Sequence, residues 1–328
     1  MPQTVSKVSL TKSRVGTAYS FPIPWHKTLQ NIFVNLYLFW SVSRAQGWKE
    51  LHQGLKSRGI PEPVTVLNVY ESHAPVLVSQ FPESEYPIDY SSIHIKPVGP
   101  IYKSFAPVAS VDPDLATWLA RKPTVLINLG SHMHFNAERT RAISTAISLL
   151  LRERQVQVLW KYRPEGPVPE TSFSAIEDAI ADKTVRLEKW LAADPAALLE
   201  TGHVVLMVHH GGASSFNEAL GSGVPAVVIP LWFDCFDYAV RAEWLGVGIW
   251  GTRKYAPVIQ PEELASAMIR ATGDGEEAVG LRDKVRKFRD LVALRGQGRD
   301  VAAREIVKYM DLLEQGEGVQ SSRERDEL

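Results

Sequence analysis

Residues 204–239 read VVLMVHHGGASSFNEALGSGVPAVVIPLWFDCFDYA: an apolar run of strand length, two histidines, two glycines, and then a helical pattern. Val204–Val208 is a strand candidate running into His209-His210-Gly211-Gly212, and Ala213-Ser214-Ser215 opens the helical FNEAL. Glycines at a strand-to-helix turn let a ligand approach the backbone. The free amides of a helix start, with the helix dipole behind them, form a site for phosphate. Ser214 and Ser215 are N-cap residue types whose hydroxyls also donate to phosphate oxygens. His210 adds a donor beside the same anion, and Glu218, about one turn on, is placed to accept from sugar hydroxyls. After Gly223-Val224-Pro225 a second strand ends in Pro230, with Asp234 and Asp237 just past it. Ligands of open α/β sheets bind beyond the carboxyl ends of the strands, where all these residues lie. Each also has a plainer reading: a steric glycine turn, a serine cap, or carboxylates that start a helix.

Outward from this stretch the same rhythm continues. Thr124–Leu129, Val156–Trp160, Thr184–Leu187 and Ala226–Ile229 are further strand candidates, with helical patterns between most of them. In Ala137–Leu151 the apolar residues Ile143, Ala146, Ile147, Leu150 and Leu151 recur at spacings of three and four, one face of a helix. Pro261–Ala271 and Glu276–Leu294 are helical as well. Such alternation, with runs apolar throughout, predicts a doubly wound parallel sheet flanked by helices. Residues before Asp112 break the rhythm: Trp25–Arg58 reads as mostly helical and aromatic, followed by two strand candidates, Pro75–Ser79 and Ile93–Val98, and a proline-dense linker. Two strands make a poor independent sheet. The expected division is therefore an incomplete N-terminal domain with linker over 1–112, a complete domain over 113–315 that includes the final helix, and a polar tail over 316–328.

Composition limits the function. Lys plus Arg total 36 against 37 Asp plus Glu, a net charge of -1, which gives no electrostatic reason to bind nucleic acid. A single cysteine, Cys235, excludes an intrachain disulfide framework and a Cys-rich metal site. The first twenty residues lack the apolar core of a signal peptide, and no run reaches the ~18 apolar residues of a membrane span. The expected location is cytoplasmic; the alternative, association with the endoplasmic reticulum, rests on the C-terminal Arg325-Asp326-Glu327-Leu328. The dinucleotide GxGxxG, Walker A and GxSxG patterns are absent, and His132-x-His134 and His209-His210 lack metal-ligand spacing. No metal is expected.

The stretch from Trp190 through His210-Gly211-Gly212-Ala213-Ser214-Ser215, Glu218, Gly223-Val224-Pro225, Pro230 and Asp234 resembles the donor-binding motif of the UDP-glycosyltransferases. These are inverting enzymes of the two-domain GT-B fold. Ile127–His132 (INLGSH) is similar to the family's loop after the first strand of the C-terminal domain. The segments Phe21–Trp25 and Val98–Ile101 look most like fungal members. The resemblance implies an α/β, GT-B-type fold and a UDP-sugar donor. Trp190 would stack on the uracil; Ser131, His210, Gly212, Ser214 and Ser215 would hold the diphosphate. Glu218 would accept from the ribose, and Asp234 would bind hydroxyls of the transferred sugar. Cys235 stands where the family has a glutamine that contacts the same sugar, and Ser214 where it has an asparagine.

The family's first domain begins with a strand and a glycine loop bearing a catalytic histidine paired with an aspartate. His26, His52, His73 and His94 sit in no matching context, so no catalytic residue is assigned. The expectation is a UDP-sugar-dependent hexosyltransferase, acting on a lipophilic small acceptor or lipid, with an intact donor half and a missing catalytic-base region. The alternative is a silent nucleotide-sugar-binding protein, or a half-enzyme completed by a partner chain supplying the rest of the N-terminal domain.

Overall fold

The computed structural model describes residues 18–60, 75–87 and 95–315. His73, His94 and the polar tail lie outside them. The chain forms two compact units, one from Tyr19–Tyr102 with Gly296–Leu328, the other from Lys103–Arg295.

The Lys103–Arg295 unit is organised by short runs of Val, Ile and Leu that are buried on both faces. After two short helices, α3 (Val108–Val111) and α4 (Pro113–Leu119), strands β3 (Thr124–Asn128), β4 (Gln157–Lys161), β5 (Val185–Glu188), β6 (Val204–His209), β7 (Ala226–Val228) and β8 (Gly248–Trp250) form one sheet. Its order is β5-β4-β3-β6-β7-β8, and every pairing is parallel. The strand sequence reverses direction between β3 and β6, where Asn128 pairs with His209. That is the switch point at which doubly wound sheets open a crevice. Helices α5 (Ala137–Glu153), α6 (Glu177–Ala181), α7 (Pro195–Leu199), α8 (Ala213–Ser222), α9 (Cys235–Leu245), α10 (Pro261–Thr272) and α11 (Glu276–Arg295) accompany the strands. On α5, Ile143, Ala146, Ile147 and Leu150 of the expected face are fully buried, and Leu151 partly so. Strand β8 has no counterpart in the sequence reading, because three residues starting with glycine give almost no β signal. The glycine is needed there: a Cβ on Gly248 would stand 2.7 Å from the Ala226 carbonyl oxygen.

The other unit holds helices α1 (Thr28–Arg44) and α2 (Gln46–Lys56), the two-stranded parallel sheet β1 (Val76–Val78) with β2 (Ile95–Pro97), and the last helix, α12 (Gly298–Glu314). This grouping differs from the expected division, which assigned the last helix to the C-terminal domain and put the boundary at Asp112. Gly298 explains part of it. A Cβ there would collide with the carbonyl oxygens of Gly99 and Pro100, so only glycine lets α12 start against that turn. An ion pair between Lys96 and Glu305 ties the same helix to β2. Two of the linker prolines stand at helix starts, Pro107 as the N-cap of α3 and Pro113 opening α4, which Asp112 caps by accepting from Leu115 N–H.

Candidate functional site

The crevice is built by two loops leaving adjacent strands. After β3, the Gly130 N–H donates to Asn128 Oδ1, and Gly130 takes a left-handed φ of +81°. After β6, the Gly211 N–H donates to His209 Nδ1 at 3.0 Å, and Gly211 takes φ +92°. Between them lies the His210 ring. A Cβ on Gly130 would come within 2.6 Å of His210 Cε1, and one on Gly212 within 2.5 Å of His210 Nε2. The two glycines are therefore the space that the imidazole occupies, and the three residues interlock the two loops. Trp232 packs beside the ring at 5.2 Å between centroids.

Gly212 is the N-cap of α8, without a side-chain cap hydrogen bond. The sequence reading made Ser214 and Ser215 capping types; the structure puts them inside the first turn instead, one and two residues past Ala213. The glycine turn has already redirected the chain by then, so the helix starts earlier. Ser214 is exposed and Ser215 is buried. Ser131 is exposed, its hydroxyl 3.3 Å from His132 Nδ1. Glu218, further along α8, is partly buried. Burial, and next the Asp194 carboxylate, push its carboxyl up to about 7, against an opposing pull from Lys161. His210 is held down at about 4 by burial; Asp234 opposes this, while His132 and Lys161 add to it. At neutral pH the ring is thus an uncharged donor–acceptor. Burial holds His209 lower still, at about 3, with His210 adding to the shift.

Trp190 lies after β5 and is 60% exposed, a surface indole rather than a core residue. It lines a cavity of about 360 Å³ together with Phe105, Val111, Lys161 and Asp194. The Lys161 ammonium stands 4.0 Å from the Trp190 ring centroid and donates to the Gly130 carbonyl at 3.3 Å. Arg163 also approaches the ring, at 5.6 Å, and donates to the Ser131 carbonyl. Sequence reading missed both cations. The available signal was a charge closing an apolar strand, VLWK, whose end was read at Trp160. Asp234 is the N-cap residue of α9, with no side-chain cap bond. Cys235 is only 1% exposed and backs the Gly211 turn: a Cβ on that glycine would lie 3.0 Å from Cys235 Cβ. Burial pushes its thiol up to about 11. Among the described residues no cluster of three or more His, Cys, Asp or Glu is placed to hold a metal ion. No described helix is long and apolar enough to cross a membrane.

A six-stranded doubly wound unit with this crevice is the architecture of a GT-B donor domain. The solved structure of Os79 from O. sativa in complex with UDP superposes with a TM-score of 0.58 at 18% identity, over 80% of this chain and 60% of that one. The family described as Erythromycin biosynthesis protein CIII-like, C-terminal domain, matches residues 174–305. Glycosyltransferase sdnJ of Sordaria araneosa is 37% identical over 277 residues, 79% of this chain and 54% of that protein. A UDP-glycosyltransferase of Talaromyces amestolkiae is 29% identical over 263 residues, 75% of this chain and 48% of that protein. The chain belongs to the UDP-glycosyltransferase family, and it spans about half the length of these curated relatives.

Proposed function

We propose that the Lys103–Arg295 unit binds a UDP-sugar without a metal ion, and that the chain serves inverting transfer of the hexosyl group to a hydroxyl of a lipophilic small molecule or lipid. The observation that carries this reading is the His210 ring set between Gly130 and Gly212 at the switch point. It puts a neutral imidazole donor and the start of α8 at one spot, a place for a diphosphate. Trp190 then offers its exposed indole to the uracil, Glu218 accepts from the ribose, and Ser131, Ser214 and Ser215 add donors. Asp234, at the start of α9, takes the sugar hydroxyls. In the Tyr19–Tyr102 unit, the aromatic residues of α1 suit a lipophilic acceptor.

Calorimetry on the whole chain tests the donor half. UDP is expected to bind equally well in EDTA and in Mg²⁺, and strict dependence on Mg²⁺ would falsify the metal-free site. Glu218→Ala is expected to weaken UDP more than a dideoxyribose analogue; equal losses would make Glu218 a structural residue only. A second reading, a binding protein that transfers no sugar alone, draws on the two-stranded sheet of the Tyr19–Tyr102 unit. UDP-[¹⁴C]glucose offered with sterol and phenolic acceptors separates the two, since glycoside formation by this chain alone rejects the second.

A further inference from the structure

Lys161 belongs to none of the donor-motif residues, yet it sits among them. It closes β4, an otherwise apolar strand, and is only 7% exposed. An ammonium has three donor directions. One goes to the Gly130 carbonyl, and the ring face of Trp190 takes another. The side chain also lines the cavity beside Trp190 and Asp194. A buried cation is costly unless an anion answers it. Here the protein supplies a neutral carbonyl, an indole face and Glu218, and it places a second cation, Arg163, nearby. Burial and Arg163 both lower the Lys161 pKa, with Glu218 acting against them. A further carboxylate, that of Asp194, lies on the cavity wall.

Resting on the donor reading above, we propose that Lys161 is a specificity-determining residue, whose ammonium binds the ribose–phosphate side of a nucleotide stacked on Trp190 and so selects nucleoside diphosphates over uncharged nucleosides. Held between the Gly130 carbonyl and the indole, it spans the step from base platform to diphosphate loop. It also faces Glu218, which is otherwise acted on by burial and Asp194. Removing the ammonium therefore withdraws the charge that favours the ionised, ribose-accepting form of that carboxylate.

The test is calorimetry of UDP and uridine on the whole chain, comparing wild type with Lys161→Met and Lys161→Arg, each checked by thermal melting. Hydrogen bonds to charged groups are strong, so Lys161→Met is expected to lose at least about tenfold in UDP affinity. Uridine, which shares the ribose but lacks the diphosphate, should lose clearly less affinity than UDP, and Lys161→Arg should keep most UDP affinity. The pH at which UDP binding is half-maximal should rise in Lys161→Met. Equal losses for UDP and uridine would mean that Lys161 merely props Trp190, and unchanged UDP affinity would remove it from the site; either overturns the inference. Wild type failing to bind UDP would instead sink the donor reading itself.

Discussion

Both units contain parallel strands, but only one buries them. In β3 and β4 all five residues are buried, whereas the three residues of β1 are each only partly covered. Helices show the same contrast. On α5 the apolar face is fully covered, while α1 leaves Leu29 at 80%, Phe33 at 68% and Leu36 at 65% exposure. Apolar content does not separate these helices, since α1 is the more apolar of the two. What differs among the described residues is the sheet: six strands give a helix a surface to cover, and two give almost none. Apolar residues alone thus do not report a core.

The strongest way to break this contrast is to truncate the centre of the large sheet. Trp160 in β4 is fully buried and touches Phe135, Tyr162 and Phe173. Trp160→Ala is expected to cost about 3–5 kcal/mol in denaturant unfolding. A loss below ~1 kcal/mol would show that the sheet interior is less packed than its burial indicates.

A second prediction uses acid. Each buried histidine has a folded-state pKa below its usual 6.5, His209 at about 3 and His210 at about 4. Between those values and 6.5 the unfolded chain binds more protons. Their contribution is therefore complete above 6.5 and is lost as pH falls toward 3 or 4. His209→Asn removes one titration, and its amide oxygen still offers the Gly211 N–H an acceptor. The variant should lose roughly 2–3 kcal/mol less than wild type between pH 7 and pH 4. Parallel pH profiles would place the acid sensitivity elsewhere.

The large sheet was legible because its runs, TVLIN and VVLMVH, are apolar on both faces and are separated by helix-length patterns. Trp190, His210 and Glu218 were singled out by the resemblance to a family motif, and their roles belong to the proposal above. Lys161 and Arg163 were not, since their role comes from the pairing of β4 with β3, which brings them to Gly130 and Ser131 from some thirty residues away. The serine positions within α8 were misread for a local reason: the glycine turn, not a side chain, starts the helix. The membership of α12 depended on close backbone approach at Gly298, which pattern does not encode.

Finer tests address the crevice itself. Gly130→Ala adds a Cβ at a left-handed φ of +81° and 2.6 Å from the His210 ring. The strain should cost about 1–3 kcal/mol. UDP affinity should fall with it, because the ring must move. Melting and calorimetry read the two effects, and an unchanged affinity would free His210 from the diphosphate. Glu218 gives a smaller stability effect of opposite sign. Its folded pKa of about 7 lies above the usual 4.5. The folded state therefore binds more protons in that window, and its stability falls as pH rises through 7. Glu218→Gln should make the ligand-free protein more stable at pH 8 by on the order of 1–2 kcal/mol, while flattening the rise of UDP binding between pH 6 and 8. A variant that still binds UDP more tightly as pH rises would assign that titration to another group.

The smallest expected change sits on the other side of the comparison. Leu29, Phe33, Leu36 and Trp40 recur at spacings of three and four along α1, and all are more than half exposed, down to 52% at Trp40. Phe33 and Tyr37 stack on each other at 6.5 Å, a contact made on the helix surface. Side chains so exposed contribute little to folding, and surface substitutions away from special features usually fall within ±0.5 kcal/mol. Phe33→Ser combined with Leu36→Ser should therefore leave the unfolding free energy within about 0.5–1 kcal/mol of wild type, while lowering hydrophobic-dye binding and concentration-dependent association. Serine has a slightly lower helix propensity than leucine, which accounts for a few tenths of that change. A loss of 2 kcal/mol or more per residue would be the signature of a core. In that event the stripe is covered in the purified protein, and sedimentation at two concentrations would tell whether a second copy of the chain covers it.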